Sequence, residues 1–131
     1  MIVLDTHVWL WWVNDPRDLS KTARSVIESE RRTNAIHISS ISAWEIALLV
    51  EKGRLHLSMR VEEWIAKSES LPFLQFVPVD NRIALQSVRL PGVFHADPAD
   101  RIIVATALIL GAELITKDDK IRSYPHIKTV W

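Results

Sequence analysis

Residues 1–12 read MIVLDTHVWLWW and place one acidic residue, Asp5, inside a largely apolar stretch. The segment IVLD at residues 2–5 is typical of a short β-strand, so Asp5 stands at the carboxyl end of that strand. Ligands of open α/β sheets bind beyond the carboxyl ends of strands, which suits Asp5 to a binding site. Asp is also a preferred helix cap, and taken alone Asp5 is more simply the cap of a helix that begins near Thr6. The stretch therefore predicts a carboxylate at the rim of a core.

Four more segments are apolar or β-branched in the manner of strands, and helical patterns separate most of them. The five predicted strands cover residues 2–5, 35–39, 74–79, 112–116 and 127–130. Besides the helix near Thr6, predicted helices cover residues 20–32, 42–52, 61–69, 81–88 and 98–110. This alternation predicts an α/β domain around a mainly parallel sheet of about five strands. A chain of 131 residues is most simply a single domain covering residues 1–131.

The composition narrows the class of protein. Hydrophobic residues make up 48% and charged residues 24%, as in ordinary globular domains. No apolar run reaches the roughly 18 residues of a membrane span, so we expect a cytoplasmic protein with no membrane partner. Cysteine is absent, which excludes a disulfide framework and a thiolate zinc site. Sixteen basic residues balance sixteen acidic ones, and the net charge of +0 gives no overall attraction to nucleic acid.

Several other acidic residues have a local explanation as helix caps. Glu45 ends the segment SAWE, a capping-box pattern in which the serine caps a helix and the glutamate bonds back to it. In DPAD, Asp97 suits the N-cap, Pro98 the first helical position and Asp100 the positive end of the helix dipole. Asp118 follows a predicted strand and could simply begin a turn or short helix. Taken singly, each residue favours the capping explanation.

Considered together, four of the carboxylates favour a shared site. Two of them follow strands and two lie at the starts of helices, and all four elements point to one edge of the predicted sheet. Crowded carboxylates repel one another unless cations neutralise them, and oxygen ligands select hard ions such as Mg²⁺ or Mn²⁺. One or two such ions suit phosphodiester hydrolysis. The predicted catalytic and metal-binding residues are Asp5, Glu45, Asp100 and Asp118.

Four segments resemble PIN-domain proteins of the VapC toxin type, and they occur in the order of that family. They read DTHVWLWWVNDPRDLS, SAWEIALLVEKGRL, HADPADRIIVATA and LITKDDKIRSYPHIKTVW, so the likeness spans nearly the whole chain. The resemblance implies a PIN-like α/β/α sandwich and a metal-dependent endoribonuclease that uses Mg²⁺ or Mn²⁺. It also implies a VapB-like antitoxin as partner, RNA as substrate, and a homodimer.

The resemblance also implies roles for individual residues. The acids of the family match, in chain order, Asp5, Glu45, Asp100 and Asp118, of which the fourth is the more variable in the family. Asp97 belongs to the same DPxDR-like motif and is expected mainly to cap its helix. Thr6 and Thr116 resemble the small hydroxyl residues near these acids, and we expect them to orient the ligands.

Six tryptophans are many for this length. Trp9, Trp11 and Trp12 are too close in sequence to share one face of a helix, so at least one of them lies at a surface. An antitoxin, a second copy of the chain and RNA are all candidates for that surface, and a protein partner fits a hydrophobic helix best.

Histidines and basic residues adjoin the predicted acids. We expect His7 to pack or to support a ligand, because imidazole suits Mg²⁺ less well than oxygen does, whereas His95 is open to either role. Five basic residues are candidates to hold phosphates, although each is more simply a solvated surface charge. They are Lys52, Arg54, Arg101, Lys117 and Lys120.

Two other functions remain open on the residues alone. Phosphoryl transfer through an aspartyl phosphate also uses an Asp at a strand end. Families of that type place a second acid beside the first or two residues after it, where this chain has Thr6 and His7. A PIN-shaped module that binds partners without catalysis is the other alternative, and the presence of all four acids argues against it.

Overall fold

The computed structural model describes all 131 residues, as seven α-helices and a five-stranded parallel sheet. The strands are β1 Ile2–Leu4, β2 Ile36–Ser39, β3 Leu74–Val77, β4 Glu113–Ile115 and β5 Thr129–Val130. The helices are α1 Thr6–Asn14, α2 Lys21–Arg31, α3 Ser40–Glu51, α4 Val61–Glu69, α5 Asn81–Val88, α6 Pro98–Leu110 and α7 Asp119–Arg122. The predicted α/β architecture is confirmed, and no helix is both long and apolar enough to cross a membrane.

The strand order β3-β2-β1-β4-β5 places β1 at the centre of the sheet. β2 and β3 lie on one side of β1, and β4 and β5 lie on the other side. The direction in which strands are added therefore reverses between β1 and β4. Leu4 lies opposite Ile115 in this pair, and the backbone N–H of Asp5 donates to the carbonyl of Ile115 at 3.0 Å. Asp5 and Thr116 therefore emerge side by side at the point where open α/β sheets bind ligands.

The side chains of β1 alternate between two hydrophobic cores. Ile2 and Leu4 pack in the core formed with α1, α2, α3 and α4, whereas Val3 packs in the core formed with α5, α6 and α7. Both faces of the sheet are thus covered by helices, which explains why its strands are apolar runs rather than alternating patterns. The arrangement is the expected α/β/α sandwich.

The tryptophans of α1 divide between core and surface, as their spacing predicts. Trp9 is fully buried, and its Nε1 donates to Ser68 Oγ at 3.0 Å. Trp11 and Trp12 are half-buried, and the Trp11 ring centroid lies 5.9 Å from that of Trp131. Trp44, on α3, is the most exposed of the six, with 56% of its surface accessible.

The start of α3 corrects the capping-box interpretation of SAWE. The helix begins at Ser40, and its cap is Ser39, whose Oγ accepts from the N–H of Ile41 at 3.2 Å. Ser42 and Glu45 therefore lie within the helix and cap nothing at its end. Because the chain offers serine at three nearby positions, the local pattern alone did not identify which one stands at the boundary.

The other three capping interpretations are confirmed. Asp5 accepts from the N–H of Thr6 at 2.8 Å at the start of α1. Asp97 accepts from the N–H of Asp100 at 2.9 Å at the start of α6, and Asp118 accepts from the N–H of Lys120 at 2.8 Å at the start of α7. An acidic residue can therefore cap a helix and also lie at the carboxyl edge of the sheet. The caps of α1, α6 and α7 all lie in or near the pocket that is described next.

Candidate active site

Four acidic residues line one pocket of about 230 Å³ at the carboxyl edge of the sheet. Each of them comes from a different element: the cap of α1, the body of α3, the first turn of α6 and the cap of α7. They are Asp5, Glu45, Asp100 and Asp118. The structure thus brings together the four acids that were predicted from the sequence to share a site. We refer to this cavity as the acidic pocket.

Asp5 is the most deeply buried of these acids, with 4% of its surface exposed. Its Oδ1 accepts from the N–H of Thr6, and its Oδ2 accepts from Thr116 Oγ1 at 2.7 Å. Burial raises the pKa of Asp5, while the nearby His7 and these two hydrogen bonds lower it in part. The carboxylate is therefore fixed in orientation but is costly to ionise until positive charge is added.

A hydroxyl cluster holds Glu45 from the neighbouring helix. Thr6 Oγ1 lies 2.8 Å from Ser42 Oγ and 2.5 Å from Glu45 Oε1. A hydroxyl has one proton, so Thr6 can donate to the carboxylate and accept from Ser42 at the same time. Burial raises the pKa of Glu45, the bond from Thr6 lowers it, and the charges of Asp5 and Asp97 raise it further.

Asp100 is surrounded by other acidic side chains. Burial is the main cause that raises its pKa to about 7, and the charges of the other acids add to that effect. These neighbours are Asp5, Asp97, Asp118 and Glu45. A cation in the pocket would oppose these effects and favour the ionised form of Asp100.

His7 and Thr116 organise the side of the pocket near Asp118. His7 Nε2 accepts from the N–H of Lys117 at 3.1 Å, which assigns the ring proton to Nδ1, and Nδ1 lies 3.5 Å from Asp5 Oδ2. Thr116 Oγ1 accepts from the N–H of Asp118 at 3.0 Å. His7 thus contacts both Asp5 and the backbone of the loop that follows β4.

His95 lies beside Asp100 and does not itself line the acidic pocket. Its Nε2 lies 3.1 Å from Asp100 Oδ2, although the orientation is not that of a hydrogen bond, and this buried nitrogen has no other partner. Its ring packs against Phe94, with centroids 4.4 Å apart. His95 is therefore a neighbour of the acidic pocket through Asp100.

The donor set fits a hard divalent cation. All four acids offer oxygen, and their mutual repulsion favours binding of positive charge. No three Asp, Glu or His side chains already have the spacing of a closed metal site. The residues that would hold such a cation are the four acids of the pocket.

The sequence also matches a family model across most of its length. Residues 2–127 match the model described as the PIN domain, and this range includes all four acids. The chain belongs to the PIN-domain family. Ribonuclease VapC22 of Mycobacterium tuberculosis (strain ATCC 25618 / H37Rv) is 36% identical in an alignment of 132 positions that covers 99% of this chain and 98% of that protein.

Solved structures share the fold of this PIN domain. VapBC2 from Rickettsia felis, bound to a DNA fragment from their promoter, matches with a TM-score of 0.69 at 21% identity, over 99% of this chain and 98% of that one. DNA-bound VapBC from Salmonella typhimurium matches with a TM-score of 0.67 at 19% identity, over 98% of this chain and 96% of that one. At these identities the likeness shows the common fold.

Two residues of this PIN domain have roles that the sequence did not suggest. Ser42 was interpreted as a cap, but its buried hydroxyl contacts Thr6, which also contacts Glu45. Arg101 was a candidate to hold phosphate, but its guanidinium donates to the carbonyls of Ser87, Phe94 and His95 at 2.8, 2.9 and 3.1 Å. These contacts favour Arg101 as an anchor of the loop before α6 and not as a phosphate ligand.

Proposed function

We propose that this protein is a metal-dependent endoribonuclease that hydrolyses RNA phosphodiester bonds, and that it acts as the toxin of a toxin–antitoxin pair. The observation that carries this proposal is the acidic pocket, where four carboxylates from four elements surround one cavity. Its support from the comparisons is membership of the PIN-domain family and a 36% identical relative named as a ribonuclease.

The four acids would hold one or two Mg²⁺ or Mn²⁺ ions. When bound, these ions supply the positive charge that activates water and stabilises the charge developing on the phosphate. Asp5 and Asp100 are the best placed to act as direct ligands, because Asp5 is fixed by two hydrogen bonds and Asp100 is partly buried among the charges of neighbouring acids. Glu45 and Asp118 complete the ligand set, directly or through water.

Hydroxyl groups of the chain would keep these ligands in place. Thr6 holds Glu45, and Thr116 joins Asp5 to the backbone of Asp118. Asp97 caps α6 and thereby positions the first turn in which Asp100 lies. Ligands held in this way need little rearrangement when a metal ion binds, which favours affinity and catalysis.

The proposal includes partners and a location. We infer that a VapB-like antitoxin inhibits the enzyme and that the chain forms a homodimer in the cytoplasm, where its RNA substrate is found. The support is the VapC relative together with the VapBC complexes that share the fold. Copurification with the product of the neighbouring gene, followed by an RNA cleavage assay with and without that product, tests the partner directly.

Cleavage of RNA tests the activity itself. The purified chain is incubated with end-labelled RNA in Mg²⁺ or Mn²⁺, and a parallel sample contains EDTA. We expect discrete cleavage products with either ion and none with EDTA. Cleavage that persists in EDTA, or no cleavage of any RNA after removal of the antitoxin, would refute the proposal.

A further inference from the structure

A second groove, of about 290 Å³, lies beside the acidic pocket. One wall is formed by Trp44 and Leu48 of α3, with Lys52 and Arg54 just after the helix, and the other wall is formed by residues 97–99 at the start of α6. We call this cavity the Trp44 groove. Its lining includes Glu45 and Leu49, which also line the acidic pocket. The two cavities are therefore adjacent, with these two side chains between them.

The local sequence explains how the aromatic ring and the cations reach the same groove. Residues 44, 48 and 52 are spaced by four, so they follow one face of the helix. Gly53 then adopts the left-handed conformation, with φ of 69°, and ends the helix. The N–H of Arg54 turns back to the carbonyl of Leu49 at 2.9 Å, which places Arg54 beside the helix end.

The groove is lined by two acids, Glu45 and Asp97, and by two cations, Lys52 and Arg54. Glu45 stands next to the acidic pocket, while Lys52 follows it by seven residues, or about 10 Å along the helix. Lys52 and Arg54 are exposed, and neither forms an ion pair within the chain. Lys52 and Arg54 are therefore free to contact the negative charges of a ligand that is bound in the acidic pocket and reaches into this groove.

The exposed ring of Trp44 supplies the second feature of a nucleic-acid site. More than half of its surface is accessible, although α3 contributes other side chains to the core. Sites for single-stranded nucleic acid combine aromatic side chains that stack on bases with cations that contact the backbone. A protein partner in this groove would have to bury both unpaired cations, which is costly without acidic partners of its own.

We propose that the Trp44 groove binds a nucleotide of single-stranded RNA next to the bond that is cleaved. Its base stacks on Trp44, and Lys52 and Arg54 contact the phosphates on the side away from the acidic pocket. This inference rests on the proposed ribonuclease function and adds to it a requirement for an unpaired base beside the cleavage site.

Binding measurements on a variant that leaves RNA intact test the stacking. In the Asp100→Asn background with Mg²⁺, the affinity for a labelled single-stranded RNA is measured by fluorescence anisotropy. We expect Trp44→Ala to weaken binding about 10- to 100-fold and Trp44→Phe to weaken it far less, because phenylalanine retains a stacking ring. Leu85→Ala is the matched control, since Leu85 is 55% exposed and lies outside the groove.

Abasic RNA identifies the nucleotide that stacks. A series of oligonucleotides, each lacking one base, is bound to the Trp44 protein and to Trp44→Ala. At one position, we expect the abasic change to weaken binding to the Trp44 protein and to have no further effect on Trp44→Ala. Additive effects at every position would overturn the proposal.

The salt dependence tests the cations. Lys52→Gln combined with Arg54→Gln should reduce the slope of log affinity against log salt by about 0.7 for each charge removed. Lys21→Gln combined with Arg24→Gln is the control, because these exposed residues of α2 line a different cavity. Equal slopes for the two double variants would contradict a phosphate contact at the Trp44 groove.

The outcomes separate this inference from the proposed function. If the unmodified chain cleaves RNA while Trp44→Ala binds and cleaves RNA normally, the groove assignment fails and the ribonuclease function stands. If no RNA is bound or cleaved by any form, the proposed function itself fails. If size-exclusion chromatography shows that Trp44→Ala converts a dimer into a monomer with unchanged RNA affinity, a second copy covers the groove and the inference is wrong.

Discussion

Thr116 Oγ1 donates a 2.7 Å hydrogen bond to Asp5 Oδ2, although 111 positions separate the two residues in the sequence. The parallel pairing of β1 with β4 brings them together, because Leu4 lies opposite Ile115 in that pair. The same Thr116 hydroxyl accepts from the N–H of Asp118 at 3.0 Å. One fully buried hydroxyl therefore holds two of the proposed metal ligands.

Removal of this hydroxyl should weaken metal binding. Thr116→Val keeps the shape of the side chain but leaves Asp5 Oδ2 and the N–H of Asp118 without that partner. We expect the affinity for Mn²⁺, measured by calorimetry, to fall about 10- to 100-fold, the range typical of groups that support a ligand. Thr116→Ser should restore most of the affinity, and equal affinities for the two variants would show that the hydroxyl does not position the ligands.

The stability of the metal-free protein should depend on pH through Asp100. Its pKa is about 7 in the folded state, against an ordinary value of 3.8, so the folded state binds the proton more tightly than the unfolded state. The stabilisation of the folded state by this tighter proton binding is fully present below pH 4 and is lost as the pH rises through 7. The Asp100→Asn variant has no carboxylate to ionise at this position. Its free energy of unfolding, relative to that of the unmodified chain, should therefore increase as the pH rises.

Urea unfolding in EDTA at pH 5 and pH 8 measures this effect. We expect Asp100→Asn to gain on the order of 2 kcal/mol relative to the unmodified chain between these two pH values, because each unit of pKa difference corresponds to about 1.4 kcal/mol. Asp119→Asn is the control, since Asp119 is exposed and does not line the acidic pocket. A difference that stays constant or shrinks with rising pH would contradict the assignment of the raised pKa to Asp100.

Arg101 should contribute to stability and not to RNA affinity. Its three hydrogen bonds join the end of α5, at Ser87, to the loop at Phe94 and His95. We expect Arg101→Gln to lower the free energy of unfolding by about 2–4 kcal/mol, because several carbonyls lose a charged donor. Arg89→Gln, which removes an exposed cation near the same helix end, should be nearly neutral. If Arg101→Gln leaves the free energy of unfolding unchanged but lowers the salt dependence of RNA binding, Arg101 contacts phosphate and the structural role is wrong.

The sequence predicted those features that depend on local pattern. The caps Asp5, Asp97 and Asp118 follow from residue type and position, and the convergence of four acids follows from the rule that parallel strands share one carboxyl edge. The role of Ser42 could not be predicted in this way, because its contact with Thr6 depends on how α3 packs beside α1. Arg101 presents the same difficulty, since only the folded loop brings its three carbonyl partners together.

Cleavage of RNA by Asp100→Asn, compared with Asp119→Asn, tests the central claim most directly. The change at position 100 keeps the size of the side chain and removes the negative charge that a cation requires, so we expect cleavage in Mn²⁺ to fall by more than about 100-fold, beyond the loss typical of a supporting residue. Both variants should retain the circular dichroism spectrum of the unmodified chain, and Asp119→Asn should retain its activity. Full activity of a folded Asp100→Asn protein would contradict the account of the acidic pocket as the catalytic site.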